Sequence, residues 1–116
     1  MSVLIVDDDP SFLEAVSDLL TARGFAVAGH ARNGAEALEA VKDLCPDAVL
    51  LDVRLPDSDA FHLARRFSEL ERRPIMLFTS SDARVATHAL AVECGAVGFV
   101  PKAELAGTDL TAYFPI

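Results

Sequence analysis

The sequence predicts one α/β domain in which helices cover both faces of a parallel β-sheet. Three observations support this prediction. Five short apolar segments alternate along the chain with segments whose apolar residues recur at helical spacing. The apolar segments lack the polar–apolar alternation of a half-exposed strand, so they fit strands that are buried on both faces. Carboxylates or hydroxyls follow directly on several of these segments, where open α/β sheets place their ligand crevice.

Composition limits the classes of function. The 116 residues are 52% hydrophobic and suffice for one core, but no apolar run approaches the roughly 20 residues of a membrane span. The net charge of −8 and the lack of a basic stripe argue against direct nucleic-acid binding and suit a divalent cation or a basic protein partner. Cys45 and Cys94 lack metal or redox spacing and no secretory signal is visible, so we expect reduced thiols in a cytoplasmic protein.

The first strand is expected at residues 3–6, directly before the aspartates at 7–9. Pro10 suits the first turn of the helix that follows, and Gly24 suits its end. The apolar face of this helix repeats at Phe12, Val16, Leu19 and Leu20. Residues 25–28 predict a second, weaker strand, because alanine is a poor strand former.

The second helix is expected to begin at a capping box formed by Asn33 and Glu36 and to end at Pro46. Its apolar face repeats at Leu38, Val41 and Cys45. The next strand, residues 48–51, is uniformly apolar and leads into Asp52. Residues 56–59 (Pro-Asp-Ser-Asp) then predict a loop.

The second half of the chain continues the same alternation. A third helix is expected from an apolar face at Phe61, Ala64 and Phe67 to Glu71-Arg72-Arg73, whose cations suit the helix dipole. Residues 74–79 predict a fourth buried strand that leads into hydroxyls at 79–81. We expect Asp82 to cap a fourth helix as far as residue 94, with Val85, Ala89 and Val92 facing inward and Gly95 closing it. Residues 97–100 predict the fifth strand, and the tail from residue 103 has room only for a short helix, interrupted by Gly107.

The polar residues at the strand ends belong to one constellation, because parallel strands place their carboxyl ends at the same edge of the sheet. Asp7 and Asp8 follow the first strand, Asp52 ends the third, Thr79 ends the fourth and Lys102 follows the fifth. We therefore expect a carboxylate cluster flanked by a hydroxyl and an ammonium group. Taken singly, each residue also fits a plain structural role: a turn, a strand-end cap or a surface lysine.

These motifs, in this order and spacing, resemble the receiver domain of bacterial response regulators over essentially the whole chain. The motifs are Val6-Asp7-Asp8, residues 51–56 (Leu-Asp-Val-Arg-Leu-Pro), Thr79-Ser80 and residues 98–102 (Gly-Phe-Val-Pro-Lys). The resemblance implies a flavodoxin-like fold, a doubly wound five-stranded parallel sheet with strand order 2-1-3-4-5. It also implies a single receiver domain over residues 1–116 with no output domain.

The resemblance further implies that Asp52 accepts a phosphoryl group from a phosphohistidine on a histidine kinase or histidine phosphotransfer protein. It implies a Mg²⁺ ion bound directly by Asp8 and Asp52, with the backbone carbonyl of Arg54 as a third ligand and Asp7 acting mainly through water. Such carboxylates would otherwise repel each other, and Mg²⁺ prefers hard oxygen ligands.

Other residues take roles in a switch by the same resemblance. Lys102 is expected to pair with one phosphoryl oxygen, Thr79 to donate to another, and Phe99 to reposition as Thr79 moves. The altered face, comprising the fourth helix, the fifth strand and the tail, would bind a downstream protein partner or relay the phosphoryl group. Hydrolysis would reset the switch, so the domain would not be a conventional turnover enzyme. A weak homodimer remains open, and no membrane or nucleic-acid contact is expected.

The sequence departs from the family pattern at several positions. Ala60 stands where the family usually has glycine, and Ala103 follows Lys102 in place of a frequent proline. Two other hypotheses stay open. A haloacid-dehalogenase-like phosphatase would use Asp7 as its nucleophile in the sequence Asp7-Asp8-Asp9, and a pseudo-receiver would act as an interaction module without phosphorylation.

Overall fold

Five parallel strands form one sheet in the order β2-β1-β3-β4-β5 in the computed structural model of the chain, which describes residues 1–115. The strands are β1 (Ser2–Val6), β2 (Ala26–Ala31), β3 (Ala48–Asp52), β4 (Ile75–Ser80) and β5 (Gly98–Pro101). The helices are α1 (Pro10–Ala22), α2 (Gly34–Leu44), α3 (Ala60–Ser68) and α4 (His88–Glu93), followed by two 3₁₀ helices, Lys102–Gly107 and Leu110–Ala112. The predicted doubly wound sheet and its strand order are confirmed. Within residues 1–115 the helices are all too short or too polar to cross a membrane.

Two apolar layers cover the sheet, because successive side chains of a strand point to opposite faces. Leu4 and Val6 of β1 face the layer of α2, α3 and α4, whereas Val3 and Ile5 face the layer of α1 and the C-terminal tail. β1 after Ser2 and all of β3 are buried on both faces, as their uninterrupted apolar sequences predict.

The tail covers its face of the sheet without a full α-helix. Leu105, Leu110 and Phe114 are buried in the layer beside α1. Phe114 meets Phe25 edge to face, with ring centroids 6.1 Å apart. The guanidinium of Arg23, at the end of α1, donates to the carbonyls of Thr108, at 2.5 Å, and of Ala106. The tail is therefore tied to α1 by both apolar contacts and hydrogen bonds.

The predicted start of α2 is confirmed, but its predicted end is partly wrong. Asn33 Oδ1 accepts the Glu36 N–H at 2.8 Å, and Asn33 Nδ2 donates to the Glu36 carboxylate at 2.7 Å. Cys45, which we expected on the apolar face, is exposed and adopts a left-handed conformation with φ of 46°. The helix ends before Cys45, so that residue no longer follows the helical spacing.

The third and fourth helices are shorter than the sequence predicts. α3 ends at Ser68 rather than reaching residues 71–73, and its last turn carries Arg65 and Arg66 instead. Asp82 does not cap α4: its carboxylate accepts the Arg84 N–H at 2.9 Å, a local turn that competes with a helix.

α4 begins six residues later than Asp82, with a different cap and a different buried face. Thr87 caps it by accepting the Leu90 N–H at 3.1 Å. Ala91 is buried, whereas Ala89 and Val92, predicted to face inward, are exposed. Val85, which precedes the helix, is partly buried against the core as predicted, whereas the inward positions predicted at residues 89 and 92 are wrong because they assumed a helix that starts at Asp82.

Candidate functional site

The carboxyl ends of β1, β3, β4 and β5 bring together the polar residues that the sequence singles out. Asp7 and Asp8 follow β1, and Asp52 is the last residue of β3. Thr79 of β4 lies beside Asp52 in the sheet register, and Lys102 directly follows β5. Four chain segments that are far apart in sequence thus meet at one edge of the sheet.

Three carboxylates form the centre of this site. Asp7, Asp8 and Asp52 each offer an oxygen, and these oxygens lie within 4.8 Å of one another. Asp7 has 0% exposed surface and Asp52 has 6%, whereas Asp8 is exposed. The cluster therefore opens to solvent on the side of Asp8, and a cation would reach it from there.

Lys102 supplies a positive charge to the cluster. Its Nζ lies 2.6 Å from Asp7 Oδ2 and 3.5 Å from Asp52 Oδ2. The same ammonium stands 4.2 Å from the centroid of the Phe12 ring, close enough for a cation–π contact. Burial by itself lowers the pKa of Lys102, but the hydrogen bond and charge of Asp7 and the charge of Asp52 outweigh it and raise that pKa above its ordinary value. Lys102 is therefore charged at neutral pH.

The negative charge of the cluster is only partly offset. Three carboxylates face one ammonium group, and the closest contact of that group is with the fully buried Asp7, at 2.6 Å from Oδ2. Burial and the neighbouring charge of Asp7 raise the pKa of Asp52 to about 6, although Lys102 and the Arg54 backbone N–H act in the opposite direction. A site with this excess of buried carboxylate oxygen suits a hard divalent cation.

Thr79 lies next to Asp52 in the sheet, and Phe99 lies on the adjacent strand β5. The Thr79 hydroxyl is buried and donates to the carbonyl of Val100 at 2.7 Å, so it is engaged with β5. Phe99 is half-buried and lies opposite Phe78 in the register of β4 and β5. Both residues belong to the two strands that frame the Lys102 side of the site.

The loop after β3 carries Arg54, whose side chain is exposed. Arg54 forms an isolated β-bridge with Asp59, and Asp59 caps α3 by accepting the His62 N–H at 2.8 Å. Ala60, at the position where we noted the absence of glycine, is the first residue of α3 and is fully buried without a positive φ. The alanine therefore fits the loop as it stands.

Two side chains around the site make contacts that the sequence does not predict. Phe12 was assigned only to the apolar face of α1, yet its ring lies under the Lys102 ammonium. Asp57 was assigned only to a loop, yet its carboxylate accepts hydrogen bonds from α2. A helical apolar pattern cannot reveal the first, and the second depends on a contact between residues that are 23 positions apart.

Comparison with known proteins finds relatives along most of the chain. The model of the response regulator receiver domain family matches residues 3–113. A protein-glutamate methylesterase/protein-glutamine glutaminase from Archaeoglobus fulgidus is 36% identical over 113 residues, which are 97% of this chain and 32% of that protein. Chemotaxis protein CheY from Thermotoga maritima is 32% identical over 100 residues, 86% of this chain and 83% of CheY. The chain spans about a quarter to a half of the length of the first curated relatives it matches.

Solved structures agree with the sequence matches. The signal receiver domain of NarL from Mycobacterium tuberculosis shares 33% identity and a TM-score of 0.86, over 97% of this chain and 92% of that domain. A response regulatory domain of MrkE from Klebsiella pneumoniae shares 25% identity and a TM-score of 0.80, over 92% and 87%. The family match covers both the strands and the site residues between Asp7 and Lys102. The chain therefore belongs to the response regulator receiver domain family.

Proposed function

We propose that this receiver domain is a phosphoacceptor switch in which Asp52 takes a phosphoryl group from a phosphohistidine on a histidine kinase or histidine phosphotransfer protein. The observation that supports this proposal most strongly is the position of Asp52. Its carboxylate is nearly buried at the end of a central strand, beside two further aspartates and an ammonium group. Such an edge of an open α/β sheet is where ligands bind.

Mg²⁺ is the cofactor that best fits the donor set. Asp8 and Asp52 would bind it directly, the Arg54 carbonyl would add a third oxygen, and Asp7 would act mainly through water. Two observations of the site support this fit: three carboxylates share the single ammonium group of Lys102, and the pKa of Asp52 is raised, so the negative charge is only partly offset. When bound, the cation would offset the charge of the carboxylates and of the transferred group.

Asp52 and Lys102 would carry the transfer. An Asp52 carboxylate oxygen forms the bond to phosphorus while the phosphorus–nitrogen bond of the phosphohistidine breaks and the imidazole keeps the electron pair. Asp52 must be ionised for this step, and its pKa of about 6 leaves it mostly ionised at neutral pH. The Lys102 ammonium, 3.5 Å from Asp52, is placed to move onto an oxygen of the new acyl phosphate. Hydrolysis of that bond by water would return the domain to its starting state.

Thr79 would convert phosphorylation into a change of shape. Its hydroxyl can donate one hydrogen bond at a time, and that bond now goes to Val100 of β5. To donate to a phosphoryl oxygen, the Thr79 hydroxyl must break its hydrogen bond to the Val100 carbonyl. Phe99, one residue before Val100, would move with Val100. Two alternative bonds of one hydroxyl make a two-state element, for which couplings are typically about 1–3 kcal/mol.

The face beyond β5 would communicate this change to a downstream protein. α4 and β5 are adjacent there, and the large apolar side chains Leu90, Val92 and Val97 are exposed. Exposed apolar side chains on adjacent elements suit protein contacts. A second possible output is a relay of the phosphoryl group to another protein, which would also need a protein contact.

Intact-protein mass spectrometry tests the proposal directly. The protein is incubated with acetyl phosphate or a phosphohistidine protein and Mg²⁺, beside Asp52→Asn and the matched control Asp18→Asn, which removes an exposed aspartate of α1. One added phosphoryl group in the wild type and the control, and none in Asp52→Asn, is the expected result.

Two other outcomes would favour the competing functions. Labelling that survives in Asp52→Asn and disappears in Asp7→Asn would indicate a phosphatase-type nucleophile at Asp7, although Asp7 has no exposed surface to offer an incoming substrate. A wild type that takes up no phosphoryl group from either donor would indicate an interaction module that works without phosphorylation.

A further inference from the structure

We propose that Asp57 is a positioning residue: its carboxylate holds the loop after β3 against the first turn of α2 and thereby fixes the direction of the Arg54 carbonyl. The inference deepens the proposed function and rests on it, because the direction of the Arg54 carbonyl matters only where the site takes Mg²⁺. Nothing in the sequence motifs of the site includes Asp57.

Two hydrogen bonds join Asp57 to α2. Asp57 Oδ1 accepts the Gly34 N–H at 2.6 Å, and Oδ2 accepts the Ala35 N–H at 3.1 Å. The first N–H groups of a helix have no partner within it and form the positive end of the helix dipole, so a carboxylate is well suited to them. These two N–H groups hold the pKa of Asp57 below its ordinary value, Gly34 more strongly than Ala35.

α2 already has a cap of its own, so these bonds do more than complete a helix end. Asn33 caps the third helical residue by accepting the Glu36 N–H at 2.8 Å. Asp57 satisfies the first two helical residues from 23 and 22 positions away. The bonds therefore connect α2 to the loop after β3, which directly follows the proposed phosphoacceptor Asp52.

The approach of the loop to α2 is close enough to require glycine at the start of that helix. A Cβ atom at Gly34 would lie 2.8 Å from Ser58 Cβ and 3.2 Å from Asp57 Oδ1. The backbone of Gly34 does not need the left-handed region, so the reason for glycine here is space. A contact this tight fixes where the loop lies.

Backbone contacts within the loop connect Asp57 to Arg54. The Leu55 N–H donates to the Ser58 carbonyl at 3.0 Å, which closes a turn with Asp57 inside it. Arg54 and Asp59, one residue outside each end of that turn, form the isolated bridge. The turn therefore acts as a small rigid unit, and its attachment to α2 through Asp57 sets the orientation of the Arg54 backbone.

The test compares Asp57→Ala with Asn33→Ala, because both remove a cap from the same helix end but only the first releases the loop. Mg²⁺ binding is measured without any phosphoryl donor, from the amide NMR shifts of residues 52–55 during a Mg²⁺ titration. Exchange of the Gly34 and Ala35 amides is recorded on the same samples. We expect Asp57→Ala to weaken Mg²⁺ binding about threefold to tenfold, no more than the smallest effects of outer-shell groups because Asp57 acts through the loop backbone, and Asn33→Ala to change it less than about twofold.

Asp57→Asn separates the hydrogen bonds from the charge. Asparagine keeps one oxygen acceptor and loses the charge, so we expect Asp57→Asn to have a Mg²⁺ affinity between those of the wild type and Asp57→Ala. An equal loss of Mg²⁺ affinity in Asp57→Asn and Asp57→Ala would attribute the effect to the lost charge and overturn the proposal. An equal loss of Mg²⁺ affinity in Asp57→Ala and Asn33→Ala would also overturn it. So would an unchanged Mg²⁺ affinity in Asp57→Ala when the Gly34 and Ala35 amides exchange faster.

The same titration distinguishes this inference from the proposed function. A wild type that binds Mg²⁺ but accepts no phosphoryl group would refute the proposed function, whereas the order of the Asp57 and Asn33 variants in the titration would still decide the positioning role. A wild type that binds no Mg²⁺ at about 10 mM, roughly tenfold above the weak end of protein sites for hard cations, would overturn both.

Discussion

Replacing Asp52 with asparagine should stabilise the metal-free protein at neutral pH, although it removes the proposed phosphoryl acceptor. Burial and the charge of Asp7 raise the pKa of Asp52 to about 6 in the folded protein, whereas an aspartate in an unfolded chain titrates near 3.9, roughly its model-peptide value. Between these pH values the folded state binds more protons than the unfolded state. The free energy of unfolding therefore falls as pH rises from about 4 to about 6, and the penalty is complete above about pH 7.

The structure gives the size of this effect. The two pKa values differ by about 2, which corresponds to at most about 3 kcal/mol because one pKa unit is about 1.36 kcal/mol. The crevice opens to solvent beside Asp8, and water there screens the repulsion between Asp7 and Asp52. We therefore expect Asp52→Asn to raise the free energy of unfolding at pH 7.5 by about 1 to 2 kcal/mol, roughly half of that bound after screening.

Urea unfolding followed by far-ultraviolet circular dichroism measures the effect, because the chain has one tyrosine and no tryptophan for fluorescence. Wild type, Asp52→Asn and the exposed control Asp18→Asn are compared with a chelator at pH 4 and pH 7.5. The advantage of Asp52→Asn should be present at pH 7.5 and absent at pH 4, and Mg²⁺ should reduce it because the wild type binds the cation better. An advantage that is equal at both pH values, or absent at pH 7.5, would refute the reasoning.

Three further predictions concern the neighbouring residues. Lys102→Ala should lower the free energy of unfolding in chelator by about 3 kcal/mol, because it leaves Asp7 buried without its cation, and Mg²⁺ should restore part of the loss in the same urea assay. Thr79→Val should lower the free energy of unfolding measured in urea by about 1 kcal/mol, because the Val100 carbonyl loses its donor. The acceptor should still be labelled in this variant, but labelling should no longer shift the NMR signals of β5. Labelling that still shifts those signals would contradict the proposed switch. Gly34→Ala should destabilise the protein by about 1 kcal/mol or more although alanine favours helices, because its methyl group would meet the loop after β3; a gain in thermal midpoint would show that the contact is loose.

Much of the fold follows from local sequence, because it depends on patterns that neighbouring residues determine. Uninterrupted apolar runs identified β1 and β3, and the Asn33–Glu36 capping box identified the start of α2. The start of α4 could not be predicted in this way. Asp82 has the chemistry of a helix cap, but its carboxylate bonds Arg84 two residues on, and Thr87 takes the capping role. The choice between two local capping residues depends on where the chain packs after it leaves β4.

The sequence by itself determined which residues lie at the carboxyl edge of the sheet, since strand ends and a parallel sheet suffice to bring Asp7, Asp52 and Lys102 to one side. Only the tertiary structure decided how they meet: that Lys102 contacts Asp7 more closely than Asp52, and that the Thr79 hydroxyl is engaged with β5. Distances of this kind depend on strand register and side-chain packing between segments far apart in the chain. Asp57 illustrates the difference, because its residue type indicates a turn, and only the packing of that turn against α2 gives its carboxylate two backbone partners.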